Sequence, residues 1–213
     1  MADQKFNLDK IDARLAEIYS SDENKLEKFD RWADHYESDL VEDLEYVAHI
    51  EASRIFDELV PGRSCRILDV ACGTGLVGVE LRMRGYDLVD GTDFSSEMLK
   101  IADQRKVYDS LFQHDFTTPL ESQGRFDAVI CVGMFSFNVP KILDMIHVIR
   151  AAKPEHYCVI TVNGAAWREL NLGEQVEVES KRHGFTVEKI VEAGYIQNQN
   201  IDCRVLVIRS PKI

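Results

Sequence analysis

The chain has 213 residues, 45% of them hydrophobic and 29% charged, the proportions of a globular protein sized for a single α/β domain, not of a disordered one. Its 37 acidic residues outnumber 25 basic ones for a net charge of −12, and no basic run breaks the balance, which argues against a nucleic-acid partner because phosphates must be met by Lys or Arg. No stretch reaches the roughly eighteen apolar residues of a membrane span, and the start MADQKFNLDK lacks the apolar centre of a signal peptide, so a soluble, cytoplasmic protein without a membrane partner is expected.

Residues 1–62 read as a helical extension. Phe6, Ile11, Leu15 and Ile18 recur at mostly helical intervals, as do Leu26, Phe29, Ala33 and Tyr36, and then Leu40, Leu44, Val47 and Ile55. Ser20, Ser21 and Asp22 supply turn and capping chemistry between the first two segments, and Pro61-Gly62 closes the third.

From Cys65 the period changes. CRILDV is a short apolar run ending on an acid, followed by a glycine-rich turn and a helix from about Leu76 to Arg84. DLVDGTD, SLFQHDF, FDAVICVG and YCVITVN repeat the theme of a short buried strand, with helical stretches between most of them. SSEMLKIADQRK opens on Ser95 or Ser96 as N-cap, and NVPKILDMIHVIRAA carries Ile142, Met145, Ile146 and Ile149 on one face. TTPLESQGRF is barely long enough for a parallel crossover and predicts a turn instead of a helix. FTVEKIVEAGYI and CRVLVIRS, joined by QNQNID, read as a hairpin with no separate C-terminal substrate domain beyond it. The expected fold is α/β: a Rossmann-like, doubly wound, mostly parallel sheet in residues 63–213, ending in an antiparallel hairpin. The five cysteines, at 65, 72, 131, 158 and 203, have neither a disulfide nor a zinc spacing and read as small buried residues, with no metal site.

GTGLVG, residues 73 to 78, spells the dinucleotide fingerprint G-x-G-x-x-G, and Asp93 stands twenty residues beyond Gly73, where that fingerprint places its ribose-binding acid. In an open parallel sheet the ligand lies outside the carboxyl ends of the strands, which gathers Asp69, the glycines, Asp93 and Asp115 around one crevice. A pyrophosphate there would be repelled by the nearby carboxylates by roughly 1–4 kcal/mol, whereas an ammonium or sulfonium centre would be attracted. S-adenosylmethionine is a phosphate-free, cationic nucleoside of that kind. A P-loop is excluded because no Lys-Ser or Lys-Thr follows the glycines.

ILDVACGTG, GTDFSSEML, and HDF before FDAVICVG together resemble the successive motifs of class I S-adenosylmethionine-dependent methyltransferases. The upstream FDRWADHYESDL resembles the corresponding segment of methyltransferase-like proteins, so the likeness spans roughly residues 28 to 164. The resemblance implies S-adenosylmethionine as cofactor, with Asp69, Gly73 and Gly75 forming the loop on the methionine side and Asp93 accepting from both ribose hydroxyls. Phe94 and Met98 would then flank the adenine, Asp115 face its amino group, Phe116 lie beside the ring, and Cys131 to Gly133, Val132 included, run beneath the cofactor.

Methyl transfer needs alignment and exclusion of water more than a positioned acid or base, so no catalytic residue is singled out. MFSFNVP, after the fourth strand, lacks the Asn/Asp-Pro-Pro-aromatic signature of amino-directed nucleic-acid methyltransferases. Phe135 and Phe137 either line an acceptor pocket or plug the following helix, and Trp167 falls on the same crevice side. Trp32 and Tyr36, four apart on a helix, are expected to close over the methionine end as a lid, or else to pack on the sheet edge. The acceptor is expected to be a small molecule or an exposed protein side chain; a binding module that has kept the cofactor fold without transferring anything is the alternative.

Overall fold

The computed structural model describes residues 12–20, 25–121, 123–137 and 140–212. Phe6 and Ile11 of the first helical pattern lie outside the described residues, as do Asn138 and Val139 of MFSFNVP.

Helices α1 (Ala13–Ser20) and α2 (Lys25–Trp32) precede a single 3-10 turn, Ala33–His35, and a wide turn, Ser38–Asp43. Helix α3 (Ala48–Leu59) follows. The run from Leu40 to Ile55 is therefore two elements and not one. The break comes at Glu45, which sits in the left-handed region at φ 56°, and at Tyr46, which forms an isolated antiparallel bridge with Ile196. A long-range backbone pairing thus overrides a pattern that local spacing alone would continue as helix.

The sheet comprises β1 (Arg66–Val70), β2 (Leu88–Asp93), β3 (Ser110–Gln113), β4 (Phe126–Phe135), β5 (Ala152–Asn163), β6 (Thr186–Ile196) and β7 (Ile201–Arg209) in the order β3-β2-β1-β4-β5-β7-β6. Strands β1 to β5 pair in parallel; β7 runs antiparallel between β5 and β6. Helices α4 (Leu76–Met83), α5 (Ser96–Arg105), α6 (Met145–Ile149), α7 (Gly164–Glu169) and α8 (Leu172–His183) complete the chain. This is the expected Rossmann-like sheet with its terminal hairpin.

Alternation along the strands divides the core between the two faces. Ile67, Ala128, Ile130 and Val159 face a layer with Phe56, Leu81 and Tyr86; Leu68, Val129, Cys131 and Cys158 face one with Met145, Ile149 and Val176. Ser95 is the N-cap of α5, its hydroxyl accepting from the Met98 amide at 3.1 Å. Between β3 and β4 the chain makes turns, with Thr118 N donating to Asp115 O, in place of a helix. That short return carries the chain from the sheet edge back across to the far side of β1. The β1/β4 junction is consequently the switch point where a crevice opens. No helix among the described residues is long and apolar enough to cross a membrane.

Candidate active site

Beyond β1 the backbone turns through Ala71 (φ 56°), Gly73 (φ 53°) and Gly75 (φ 98°), the last opening α4. The two glycines take left-handed conformations at little cost. Gly78 has a different reason to be glycine: a Cβ there would lie 2.5 Å from the Tyr108 ring, and one on Gly91 would lie 2.9 Å from the same ring. Tyr108 therefore wedges between α4 and β2, and the third glycine of G-x-G-x-x-G makes room for a side chain of this protein.

The Tyr108 hydroxyl donates to Asp69 Oδ2 at 2.7 Å. Asp69 is fully buried, its other oxygen has no hydrogen-bond partner, and desolvation raises its pKa to about 8. Its neutral form is thus favoured at physiological pH, and the repulsion expected between this carboxylate and a pyrophosphate is weakened accordingly. Asp93, at the end of β2, takes over that part. Its Oδ2 accepts from the Gly73 amide and its Oδ1 from the Ser95 amide, both at 2.9 Å. Burial raises its pKa to about 6, against the lowering pull of those amides, and it is ionised at pH 7.

A cavity of about 790 Å³ opens over these groups, towards the upper end of the roughly 300–1,000 Å³ usual for ligand pockets. Of the residues singled out from the sequence, Gly73, Asp93, Phe94 and Met98 line it from the β1 and β2 ends, Asp115 and Phe116 from beyond β3, and Val132 from β4. Trp32 and Tyr36 line it from the N-terminal segment, their rings edge to face at 4.9 Å. That segment is bound to the site at three places. The Phe29 and Phe94 rings meet at 5.6 Å, Ser95 Oγ donates to Asp30 Oδ1, and Glu37 pairs with Arg105, whose Nε also donates to Thr74 O in the glycine loop.

The remaining candidates lie outside the cavity wall. Asp69 is behind it, on Tyr108. Gly75 faces Arg105 and Tyr108. Cys131 points to the opposite face of β4 from Val132 and is fully buried. Phe135 is buried in the α6-side core, Phe137 packs between both core clusters, and Trp167 on α7 packs against Gly173. None of these three aromatics is among the cavity-lining residues. Four cysteines are buried, Cys65 is half-buried, and all five are free; burial pushes the Cys72 thiol well up. The described residues contain no cluster suited to a metal ion.

Sequence spacing gave no sign of three further lining residues, Tyr46, Tyr195 and Ile196. Tyr46 reaches the site through the bridge to Ile196, a pairing that no local pattern records. His114 also lines the cavity, held through Nε2 at 3.2 Å from Thr118 O.

A family model described as "Methyltransferase domain" matches residues 67–155, from β1 into β5. This stretch runs from the first strand through the glycine loop at the switch point, so the part of the chain that resembles a methyltransferase domain is the part that builds the cavity's β1, β2 and β4 walls. Among characterised proteins the chain is similar to human Methyltransferase-like protein 27, 41% identical over 119 residues covering 53% of this chain and 47% of that protein. It is also similar to the Glycine/sarcosine N-methyltransferase of Parasynechococcus marenigrum, 30% identical over 63% of this chain and 51% of that one. The chain thus spans about half the length of these relatives. The TehB-like SAM-dependent methyltransferase of Corynebacterium glutamicum shares the fold, with a TM-score of 0.55 at 21% identity over 76% of this chain and 87% of the other.

Proposed function

We propose that this protein is a cytoplasmic methyltransferase that binds S-adenosylmethionine in the cavity at the β1/β4 switch point and passes its methyl group to a small molecule or an exposed side chain, not to nucleic acid. The observation that carries this reading is the placement of the Asp93 carboxylate against the Gly73 amide in a cavity lined by no Lys or Arg among the described residues. A pyrophosphate at that turn would meet an anion without a compensating cation; a sulfonium nucleoside meets an attractive one. Gly73 also fits close approach, since the space its missing side chain would occupy is open to 4 Å.

In this reading Asp93 accepts from the ribose hydroxyls, Asp115 faces the adenine amino group, and Phe94, Met98 and Phe116 enclose the ring. Gly73 approaches the methionine end, Val132 runs beneath, and Trp32 and Tyr36 cover the site and exclude water. Asp69, Gly75 and Cys131 act from behind, holding the loop and β4 in shape. The cofactor supplies an electrophilic methyl on a sulphur that leaves as a neutral thioether; the protein's task is alignment and dehydration. Residues 1–62 serve as the lid and 63–213 as the cofactor-binding domain. FDRWADHYESDL and the first two strand motifs support placing the chain beside the methyltransferase-like protein of the Williams-Beuren syndrome region.

The test is calorimetry with S-adenosylmethionine and with NAD, followed by assay of demethylated-cofactor release over a metabolite library. Tight binding of NAD in preference to S-adenosylmethionine sinks the proposal, and cofactor binding with no turnover on any acceptor leaves a non-transferring module. A pH dependence follows as well. Ribose hydroxyls donate to the ionised carboxylate, so affinity should fall by about ten-fold per pH unit below the Asp93 pKa of about 6 and level off above it. Apo-protein stability should move the opposite way. The folded pKa lies above the ordinary 3.8, so this group's stabilising contribution is complete below 3.8 and lost as pH rises through about 6. Titrating affinity and melting temperature in parallel checks both signs.

A further inference from the structure

The cavity's two sides differ in chemistry. Both lining carboxylates, Asp93 and Asp115, lie towards the β2/β3 side of the sheet. Past Val132 and Gly133 the wall passes to Leu15, Leu40, Tyr46, Tyr195 and Ile196, on the β4 and β6 side, and carries no formal charge of either sign among the described residues.

Two phenol hydroxyls converge there on one point. Gly133, at φ 85° and within the register irregularity of β4, would bring a Cβ to 3.2 Å from the Tyr46 hydroxyl and 3.6 Å from that of Tyr195. The rings stand edge to face at 5.3 Å, and Tyr46 is stacked on His49 at 5.3 Å and 17° on its other side. Backbone hydrogen bonds fix the pair: Val47 N donates to Tyr195 O at 3.0 Å and Gln197 N to Glu45 O at 3.1 Å. The left-handed Glu45 and the bridge that interrupts the helical pattern before α3 therefore serve to hold Tyr46 over Gly133. Burial lowers the His49 pKa, which favours its neutral form and keeps this flank uncharged too.

Building on the cofactor reading, we infer that the compartment beyond Gly133 takes an uncharged, largely apolar small molecule whose reacting hydroxyl or thiol is oriented by Tyr46 and Tyr195. Leu15, Leu40 and Ile196 bury its apolar body, whereas a carboxylate, phosphate or ammonium would be desolvated there without a partner. In the transfer a lone pair on the acceptor oxygen or sulphur forms the bond to the sulfonium methyl carbon. The carbon–sulphur bond breaks with its pair remaining on sulphur, and the acceptor's proton passes to water. The products are a methyl ether or thioether, S-adenosylhomocysteine and one proton.

Three probes of one shape separate the charge classes at neutral pH: naphthol, naphthoate and naphthylmethylammonium, each titrated by calorimetry into protein saturated with S-adenosylhomocysteine. Naphthol is expected to bind at least about ten-fold more tightly than either ion. Tyr46→Phe and Tyr195→Phe should each weaken naphthol by about ten-fold, the worth of one neutral hydrogen bond, while leaving S-adenosylhomocysteine affinity unchanged. Naphthol that fails to bind, that binds no better than the ions, or that ignores both substitutions overturns the acceptor inference and leaves the cofactor reading standing. Failure of wild-type protein to bind S-adenosylhomocysteine overturns that reading, and this inference with it.

Discussion

Asp93→Ala is expected to weaken S-adenosylmethionine binding by at least about a hundred-fold, since each hydrogen bond to a charged acceptor is worth about 1.5–3 kcal/mol and the proposed ribose contact makes two. The carboxylate is set for the task before any ligand arrives. Amides of Gly73 and Ser95 hold its two oxygens at 2.9 Å, so the orientation is already settled and little entropy remains to be lost on binding. Truncation also strips those two buried amides of their acceptor, which will lower stability, so the variant must be compared at a temperature where circular dichroism shows it folded. Asp93→Asn separates the effects. It keeps nearly the same volume and one of the two acceptor oxygens, with its NH2 turned to the other amide, and should recover part of the stability but little of the affinity. An affinity for either folded variant within about three-fold of wild type would remove Asp93 from the site.

Gly78→Ala should destabilise the protein by about 2 kcal/mol and lower the melting temperature by roughly 4–8 °C, although a Gly to Ala change inside a helix is ordinarily favourable. The new methyl would sit 2.5–2.8 Å from three atoms of the Tyr108 side chain, two of the ring and the hydroxyl oxygen. That ring cannot retreat, because Gly91 closes on it from β2 and its hydroxyl is tied to Asp69. Tyr108→Leu opens space at the cost of a cavity, so the double variant should be more stable than the sum of the two single losses. Equal cost of Gly78→Ala in both backgrounds would show that the contact is not the cause. Gly62→Ala, where nothing lies within 4 Å and no left-handed backbone is required, serves as the control and should change stability by less than about 0.5 kcal/mol.

The two variants also mark how far this protein could be read from its residues. The strands were legible because each is a short apolar run closed by Asp, Gly or Asn, and the hairpin because two alternating segments flank QNQNID. Ser95 could be anticipated as a cap from its place before an apolar-periodic stretch. The glycine loop marked the turn from which Gly73 lines the cavity, but G-x-G-x-x-G by itself does not distinguish a glycine that faces the cavity from one that faces Tyr108. Asp69 shows the same limit. Its position at the end of an apolar run marks it as noteworthy, yet whether it meets the ligand or is buried against a phenol depends on which way one residue of β1 points. Phe135, Phe137 and Trp167 sit where a pocket lining is expected; Phe135 is buried in the core, while Phe137 and Trp167 are partly buried against it and do not line the cavity.

Spacing along the chain records what neighbours do to one another: strand or helix, turn or cap, and the carboxylates and glycines that the strand ends bring to a single edge. Those properties, and with them the α/β class, were settled by the residues alone, since period and backbone freedom are local. The pairing of Tyr46 with Ile196, the meeting of two phenols over Gly133 and the division of the cavity into a charged and an uncharged end were decided on folding. They join segments from opposite ends of the chain, where burial and long-range backbone hydrogen bonds, and no local preference, determine the neighbours.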